Sequence, residues 1–517
     1  MLTRLQYQAK ENNKFVVLVQ PQMGLSGEFA RHLPLSLLYV AAPLKKLGID
    51  VVILDRRVIH NKSWENELLE HLNNKPLWIG FTVMAGFPIV QALEMSKFVK
   101  EHSSTIPIVW GGALPTIDPK SCMSCKYVDF TVSGSGILET ELLTKAIIEK
   151  QTQNKEFLKN IPGLGYRLSE EVFYNKPYQG FEPVHYKDLP YEIIKDYSVY
   201  GQIGTNENIF PIYSAYGCPY QCSFCVSPML YKTFTPKWRP VSPVEVADHI
   251  EYLKNNYKAT TIYFYDDDSF VNIEHIRSIV LELKRRQIKV KLSFRGARVN
   301  EIMKMDDEFL DLLSETGTEM LHVGIESGSQ RILNLYKKGI TIENIYEINR
   351  KLARHPKLIA AYNWIVGAPS ETLDEIKQTA RLMTKLIKEN PKCFVFQPNI
   401  FRVIPGSVLG EKAREYGYRE PSNLDEWIKS ELEQEVFSPW FSDEMKQYIK
   451  MLQVTSYFID NKAQLLLKTK SLKDLVIKIL SKLYQPLARF RVKASWSSLL
   501  IEAKVFFLAQ KLMKKLR

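Results

Sequence analysis

Residues 213–228 read Tyr-Ser-Ala-Tyr-Gly-Cys-Pro-Tyr-Gln-Cys-Ser-Phe-Cys-Val-Ser-Pro, and no other stretch constrains the chain as tightly. Cys218, Cys222 and Cys225 stand in C-x3-C-x2-C spacing, directly after the β-prone run Ile209-Phe-Pro-Ile-Tyr213. Three thiolates on one short loop can hold three irons of a [4Fe–4S] cluster and leave the fourth iron open to another ligand. A zinc site is the alternative, but it asks for a fourth Cys or His at conventional spacing, which the loop lacks. Three buried structural cysteines are the remaining reading.

With 517 residues, 45% of them apolar, the chain has room for two or three well-cored domains. Six cysteines are too few for a disulfide scaffold, and an oxygen-sensitive loop points to a reducing cytoplasm. The first ten residues lack the apolar core of a signal peptide, and no run of about 18 uncharged apolar residues occurs. The net charge is +12, but residues 464–517 hold thirteen Lys/Arg against Asp474 and Glu502, so the rest is nearly neutral. That distribution argues against a nucleic-acid surface on the body of the protein.

Residues 1–150 alternate strand and helix signals, the pattern of an α/β, doubly wound parallel sheet. Strands are predicted at 14–20, 50–55, 77–82, 106–110 and 127–132, with a Gly24/Gly27 loop after the first. Ligands of such sheets sit beyond the carboxyl ends of the strands. The loops there are Thr82-Val-Met-Ala-Gly86, Gly111-Gly112-Ala-Leu-Pro-Thr116 and Ser133-Gly134-Ser-Gly136. Cys122 and Cys125 form a C-x2-C without further ligands nearby and read as structural. Residues 151–205 read as a connector holding a small hairpin.

Residues 206–420 alternate again. Strands are predicted at 209–213, 260–265, 290–294, 320–325, 359–366 and 394–398, six βα units of a partial barrel. Functional groups of parallel barrels gather at the C-terminal strand ends. Asp266-Asp267-Asp268 follows the second strand and reads as a cap for the next helix. Arg295 and Arg298 follow the third, Glu326-Ser327 the fourth, Gly367-Ala-Pro-Ser-Glu371 the fifth and Pro405-Gly-Ser407 the sixth. Residues 421–517 read as helices. Segment 498–516 pairs an apolar face with a lysine face, which suits either an anionic membrane surface or the protein's own core.

The cysteine loop, with Phe224 before its last cysteine, resembles that of radical S-adenosylmethionine (SAM) enzymes. The Gly111-Gly112 and Gly134/Gly136 loops resemble the cobalamin (B12)-binding, Rossmann-like domain that precedes many such cores. This resemblance to B12-binding radical SAM enzymes covers about residues 14–430. It implies a [4Fe–4S] cluster on Cys218, Cys222 and Cys225, and SAM near Arg295, Arg298, Glu326, Ser327, Gly367 and Glu371. Cobalamin is implied at Thr82, Gly111, Gly112, Gly134 and Gly136. Two departures stand out. The last loop reads Gly-Ser-Gly-Ile where the family often has Gly-Glu-Gly-Glu, with Glu139 displaced. No histidine of the first half lies in an Asp-x-His-x-x-Gly, so cobalamin's lower face is expected to be free of a protein histidine.

The resemblance implies a C-methyltransferase working through a 5′-deoxyadenosyl radical and methylcobalamin. A cyclase of the anaerobic magnesium-protoporphyrin ester type, or a cobalamin-binding sensor, are the alternatives. The expected partners are a small-molecule substrate, lipophilic if the tail meets a membrane, and an electron donor such as flavodoxin or ferredoxin.

Overall fold

The computed structural model describes residues 14–23, 30–58, 62–180, 183–202, 207–232, 235–432, 438–467, 472–501 and 504. The Gly24/Gly27 loop, His60 and nearly all of the terminal segment beyond Ile501 lie outside the described residues. The chain divides into two compact units, residues 1–199 with 421–433, and residues 200–420 with 434–517.

The first unit is built on a seven-stranded sheet. Its strands are β1 (Phe15–Gln20), β2 (Asp50–Asp55), β3 (Ile79–Thr82), β4 (Ile108–Gly111), β5 (Phe130–Val132), β6 (Leu164–Leu168) and β7 (Glu171–Tyr174). They lie in the order β2-β1-β3-β4-β5-β6-β7, the first five parallel and the last two antiparallel. The parallel part is the doubly wound sheet expected. The hairpin expected in the connector instead extends this sheet: Thr131 of β5 faces Gly165 of β6, where an added Cβ would meet Thr131 Oγ1 at 2.2 Å. Fully buried strands need apolar residues on both faces, and Val16 to Val19 are all buried. Two side chains, Trp78 and Trp110, bring a polar N–H into this core and satisfy it on Thr144 Oγ1 and Ser96 Oγ, each at 3.0 Å.

Helix Leu424–Leu432 returns to this first unit and does not join the helical tail. Leu424 and Trp427 are buried in the same cluster as Met95 and Val99 of helix Phe87–His102.

The second unit contains six parallel strands in sequence order. These are β8 (Ile209–Ile212), β9 (Thr261–Phe264), β10 (Lys291–Arg298), β11 (Thr318–Glu326), β12 (Ile359–Val366) and β13 (Phe394–Val395). β10 and β11 run longer than their apolar patterns suggest, with register irregularities between Phe294 and Ala297 and between Gly324 and Glu326. The sheet is concave. His322 of β11 meets Tyr263 of β9 at 5.9 Å between rings, across the intervening β10. Strands two apart in a sheet are separated by roughly 9.5 Å, a gap that these two long side chains close over β10.

The tail closes the edge of this sheet. Asp460 Oδ2 accepts from Val395 N at 2.8 Å, and Lys462 Nζ donates to Val395 O at 2.5 Å and Ser456 O at 2.7 Å. An open edge would present unpaired backbone to other chains. Helix Leu472–Ala494 buries Ser481, Ala488 and Val492 on one side. On the other, Val476, Leu480, Leu483, Leu487 and Phe490 are exposed at alternating spacings of four and three. Among the described residues no helix is long and apolar enough to cross a membrane.

Phe294 is fully buried, stacked on Phe264 at 4.3 Å and tilted on Phe270 at 5.1 Å. Phe294→Ala should destabilise the second unit by about 3–5 kcal/mol, read as a lower denaturant midpoint; an unchanged midpoint would contradict this packing.

Candidate active site

The three cysteines follow β8 on a loop bracketed by an antiparallel ribbon, Ala215–Gly217 with Trp238–Pro240. Cys218 and Cys222 are buried and Cys225 is half-buried. Burial pushes the Cys218 thiol up to about 12 and also raises Cys225. Coordinated iron would reverse this, because a metal-bound thiol is deprotonated. Among the described residues no three His, Cys, Asp or Glu side chains converge on a single-ion site. A cluster asks for something else, one thiolate for each of three separate irons, and the donor set fits that need.

The loop is tied to the barrel from several sides. Ser223 N and Oγ donate to Tyr336 O and Leu335 O at 3.1 and 2.6 Å, and its carbonyl accepts from Leu409 N at 2.9 Å. Phe224 meets Tyr336 edge-on at 5.0 Å. Arg298, at the end of β10, donates through Nη1 to Cys222 Sγ at 3.2 Å and through Nη2 to Lys338 O at 2.9 Å. Its guanidinium lies 3.9 Å from the centre of the Tyr220 ring. The Tyr220 hydroxyl in turn donates to Glu301 Oε1 at 2.5 Å, and Glu301 Oε2 accepts from Arg298 N at 3.1 Å.

The Asp266–Asp268 turn does not cap a helix. Helix Ile273–Arg285 is capped by Asn272, whose Oδ1 accepts from Glu274 N and His275 N. Asp266 is buried and accepts instead from Ser214 N at 2.8 Å, Ser214 Oγ at 2.5 Å and Ala215 N at 3.2 Å. Burial raises its pKa to about 6, against the pull of those hydrogen bonds. Asp267 accepts from Ser227 Oγ at 3.2 Å and from the Tyr231 hydroxyl, while Ser227 N donates to Cys225 Sγ at 3.5 Å. The triplet therefore anchors both ends of the cysteine loop. Tyr220, Glu301 and Lys338 are neighbours that the sequence did not single out, and the Asp triplet was visible in it only as a helix cap.

Beyond β11, Glu326 takes a left-handed backbone with φ of 70°, a strained state for a side-chain-bearing residue. Its carboxylate is paired at 3.2 Å with the buried Lys338 ammonium. An added Cβ at Gly324 would meet Glu326 Oε1 at 2.3 Å, so any other residue there would displace the carboxylate. Ser327 is buried, with Oγ 3.3 Å from Thr379 Oγ1. Glu371 folds back so that Oε2 accepts from Gly367 N at 2.5 Å and Ala368 N at 3.0 Å. Its Oε1 is buried with no hydrogen-bond partner among the described residues. Ser407 caps helix Val408–Ala413 through Gly410 N at 3.0 Å.

Arg295 and Arg298 do not share a neighbourhood. Arg295 faces the concave side, exposed, with its guanidinium 4.9 Å from the centre of the Tyr265 ring. His322 stacks on Phe396 at 5.5 Å with the rings 10° apart. Burial and the charge of Arg295 lower its pKa to about 4, so this imidazole is neutral at pH 7.

In the first unit the three loops expected to be a ligand shelf come together. Val83 N donates to Gly111 O at 2.7 Å and Leu114 N to Val83 O at 3.0 Å. Ser133 Oγ donates to Pro115 O at 2.7 Å and Gly134 N to Thr116 Oγ1 at 3.1 Å. Gly112 has φ of 97°, and an added Cβ would meet Thr82 Oγ1 at 2.9 Å. The result is a backbone-walled shelf with Met84 exposed on its rim, which fits a bulky ligand in close backbone contact. Glu139 is fully buried with Oε1 unpartnered among the described residues, and burial raises its pKa. His71 packs on Phe15, and His102 Nδ1 lies 2.9 Å from Phe98 O. Cys122 and Cys125 are free thiols whose pKa values burial raises.

Burial raises the Glu371 carboxyl from 4.5 to about 8. Between those values the folded chain keeps a proton that the unfolded chain has released, so stability falls as pH rises. Glu371→Gln should flatten the thermal midpoint's pH dependence from about pH 5 to 8. An unchanged slope would mean that the carboxyl is already ionised in the fold.

Residues 212–383 match the model of the Radical SAM superfamily, and residues 30–142 that of the B12 binding domain. An uncharacterised methyltransferase of Pyrococcus horikoshii is 27% identical over 381 residues, 74% of this chain and 78% of that one. The anaerobic magnesium-protoporphyrin IX monomethyl ester cyclase of Rubrivivax gelatinosus is 24% identical over 357 residues, 68% of this chain and 61% of the cyclase. Among solved structures, the radical SAM methyltransferase TsrM of Kitasatospora setae, with cobalamin and a [4Fe–4S] cluster bound, superposes with a TM-score of 0.62. That likeness, at 19% identity over 78% of this chain and 75% of TsrM, is one of fold. With both domains matched in order and the cysteine loop placed at the mouth of a six-stranded partial barrel, the chain belongs to the radical SAM enzymes that carry a B12-binding domain.

Proposed function

We propose that the chain is a cobalamin-dependent radical SAM methyltransferase that methylates an unactivated carbon of a small-molecule substrate. The observation that carries this reading is the tethered three-cysteine loop in a chain that also matches a B12-binding domain. When bound, the cluster with SAM supplies a radical able to take hydrogen from carbon, and cobalamin supplies a transferable methyl group. The chain's own residues hold and shield. Cys218, Cys222 and Cys225 would hold the cluster, with Arg298 donating to Cys222 and limiting charge build-up on its sulfur. Glu326, Ser327, Gly367 and Glu371 form the rim read as SAM's. Thr82, Gly111, Gly112, Gly134 and Gly136 form the shelf read as cobalamin's. TsrM of Kitasatospora setae is solved with tryptophan as substrate, in keeping with a small-molecule substrate here. An electron donor of flavodoxin or ferredoxin type would reduce the cluster.

Anaerobic extract incubated with the reconstituted chain and methyl-labelled SAM should yield a labelled product and 5′-deoxyadenosine, both read by mass spectrometry. Replacing all three cysteines by Ala should drop iron from about four per chain to near none and abolish both products. Full iron retention in that variant would overturn the assignment. A new ring without label would instead favour the cyclase reading, which the match to the Rubrivivax gelatinosus enzyme supports. No 5′-deoxyadenosine under reducing conditions would favour a cobalamin-binding sensor.

The exposed stripe Val476, Leu480, Leu483, Leu487 and Phe490, flanked by Lys482 and Lys493, favours a peripheral membrane contact that would bring in a lipophilic substrate. Each basic residue near an anionic surface adds about 1 kcal/mol. The chain should co-sediment with anionic vesicles, weakly with neutral ones, and less in high salt. Leu483→Asp should weaken this; equal sedimentation with both vesicle types would rule the contact out.

A further inference from the structure

The concave face of the second unit carries a set of side chains that the cluster and its tethers do not use. Tyr263 and Tyr265 come from the end of β9, Arg295 from β10, His322 from β11, and Phe396 follows β13. The three rings Tyr263, His322 and Phe396 form a continuous wall, edge-on at 5.9 Å and then stacked at 5.5 Å. Neither the imidazole of His322 nor the guanidinium of Arg295 makes a hydrogen bond or ion pair among the described residues. Asp267, the carboxylate that bears on Arg295 electrostatically, is occupied by Ser227 and Tyr231.

The Arg295 guanidinium lies over the Tyr265 ring at 4.9 Å, and its N–H donors are not taken by any side chain or carbonyl among the described residues. Those donors match a carboxylate, which a guanidinium takes with two parallel hydrogen bonds. Arg298, beside the cysteines, is already committed to Cys222, Lys338 and Tyr220. Arg295 lies three residues earlier, ahead of the irregular turn at Gly296, and its carbonyl accepts from Ser269 Oγ at 2.8 Å. A carboxylate could come from SAM or from the substrate, and the company of Arg295, next to Tyr265 and bearing on His322 in the ring wall, favours the substrate.

We propose that the concave face selects a substrate with a flat, unsaturated body and a carboxylate, the body against Phe396, His322 and Tyr263 and the carboxylate on Arg295. This rests on the reading that the chain acts on a small-molecule substrate, but not on which reaction follows. A neutral imidazole in the wall adds a hydrogen-bonding edge without a competing charge.

The test is binding without turnover, using 2-naphthoate and its neutral isostere 2-naphthamide as probes in anaerobic equilibrium dialysis of the full, reconstituted chain. The wild type should prefer the carboxylate by about tenfold, the lower range for a charge-assisted hydrogen bond. Arg295→Gln should erase the preference, and Arg295→Lys should keep part of it, with iron content reporting that both variants fold. Phe396→Leu should weaken both probes alike and keep the preference. SAM retention is measured in the same dialysis. Equal retention of the two probes by the wild type, or of neither, overturns the proposal. So does an Arg295→Gln variant that loses SAM by the same factor while still preferring naphthoate, because the guanidinium then serves SAM. A chain that prefers naphthoate as expected but transfers no label from SAM would leave this inference standing and sink the methyltransferase reading alone.

Discussion

The buried carboxylate of Asp266 holds the start of the cysteine loop, and the rest of the candidate centre depends on that hold. It takes both the amide and hydroxyl of Ser214 and the amide of Ala215, three donors on one acidic group below solvent. A loop that carries three thiols has no secondary structure of its own to keep them in place. Carboxylates at the ends of barrel strands provide a fixed frame that an open loop lacks. Asp267 extends the frame to Ser227 and Tyr231, beyond the last cysteine. Arg298 and Glu301 add an opposite-charge pair on the other side, bridged through Tyr220.

Around that frame the strands divide their side chains by alternation. On β9 to β12 one set, including Phe264, Phe294, Leu321, Val323, Tyr362 and Trp364, is fully buried. The other set includes Tyr263, Arg295, His322 and Asn363 and is only partly covered. The buried set resists distortion because it is close-packed. The partly covered set can meet a ligand. Stability and chemistry thus share strands but use opposite faces of them.

Much of this was legible in the sequence, for a reason that lies in chemistry. The six barrel strands are apolar runs bounded by turn residues, and a strand stands at each of the six, with β10 and β11 longer than their patterns and β13 shorter. The cysteine spacing is a statement about ligands and needs no fold to be read. The Asp266–Asp268 triplet was visible, but its partners are more than 35 residues away on either side of the cysteines, as Ser214 lies 52 residues from Asp266. A cap three residues downstream was therefore the simpler local reading. Lys338 and Glu301 gave no signal, because a buried charge, whether paired as Lys338 is with Glu326 or hydrogen-bonded as Glu301 is to Tyr220, looks like any surface charge in a sequence. The attachment of Leu164–Tyr174 to the first sheet, and of helix Leu424–Leu432 to the first unit, depends on long-range contacts that no local period records.

That returning helix has a consequence for the order in which the protein is made. The first unit draws on residues 1–199 and again on 421–433, so its core includes Leu424 and Trp427 from the far side of the second unit. At bacterial-like synthesis rates of about 5–20 residues per second, roughly 220 intervening residues take some 10–45 seconds to emerge. Throughout that interval the apolar surface around Met95 and Val99 waits for its last partners. The chain must therefore finish most of its second unit before it can complete its first.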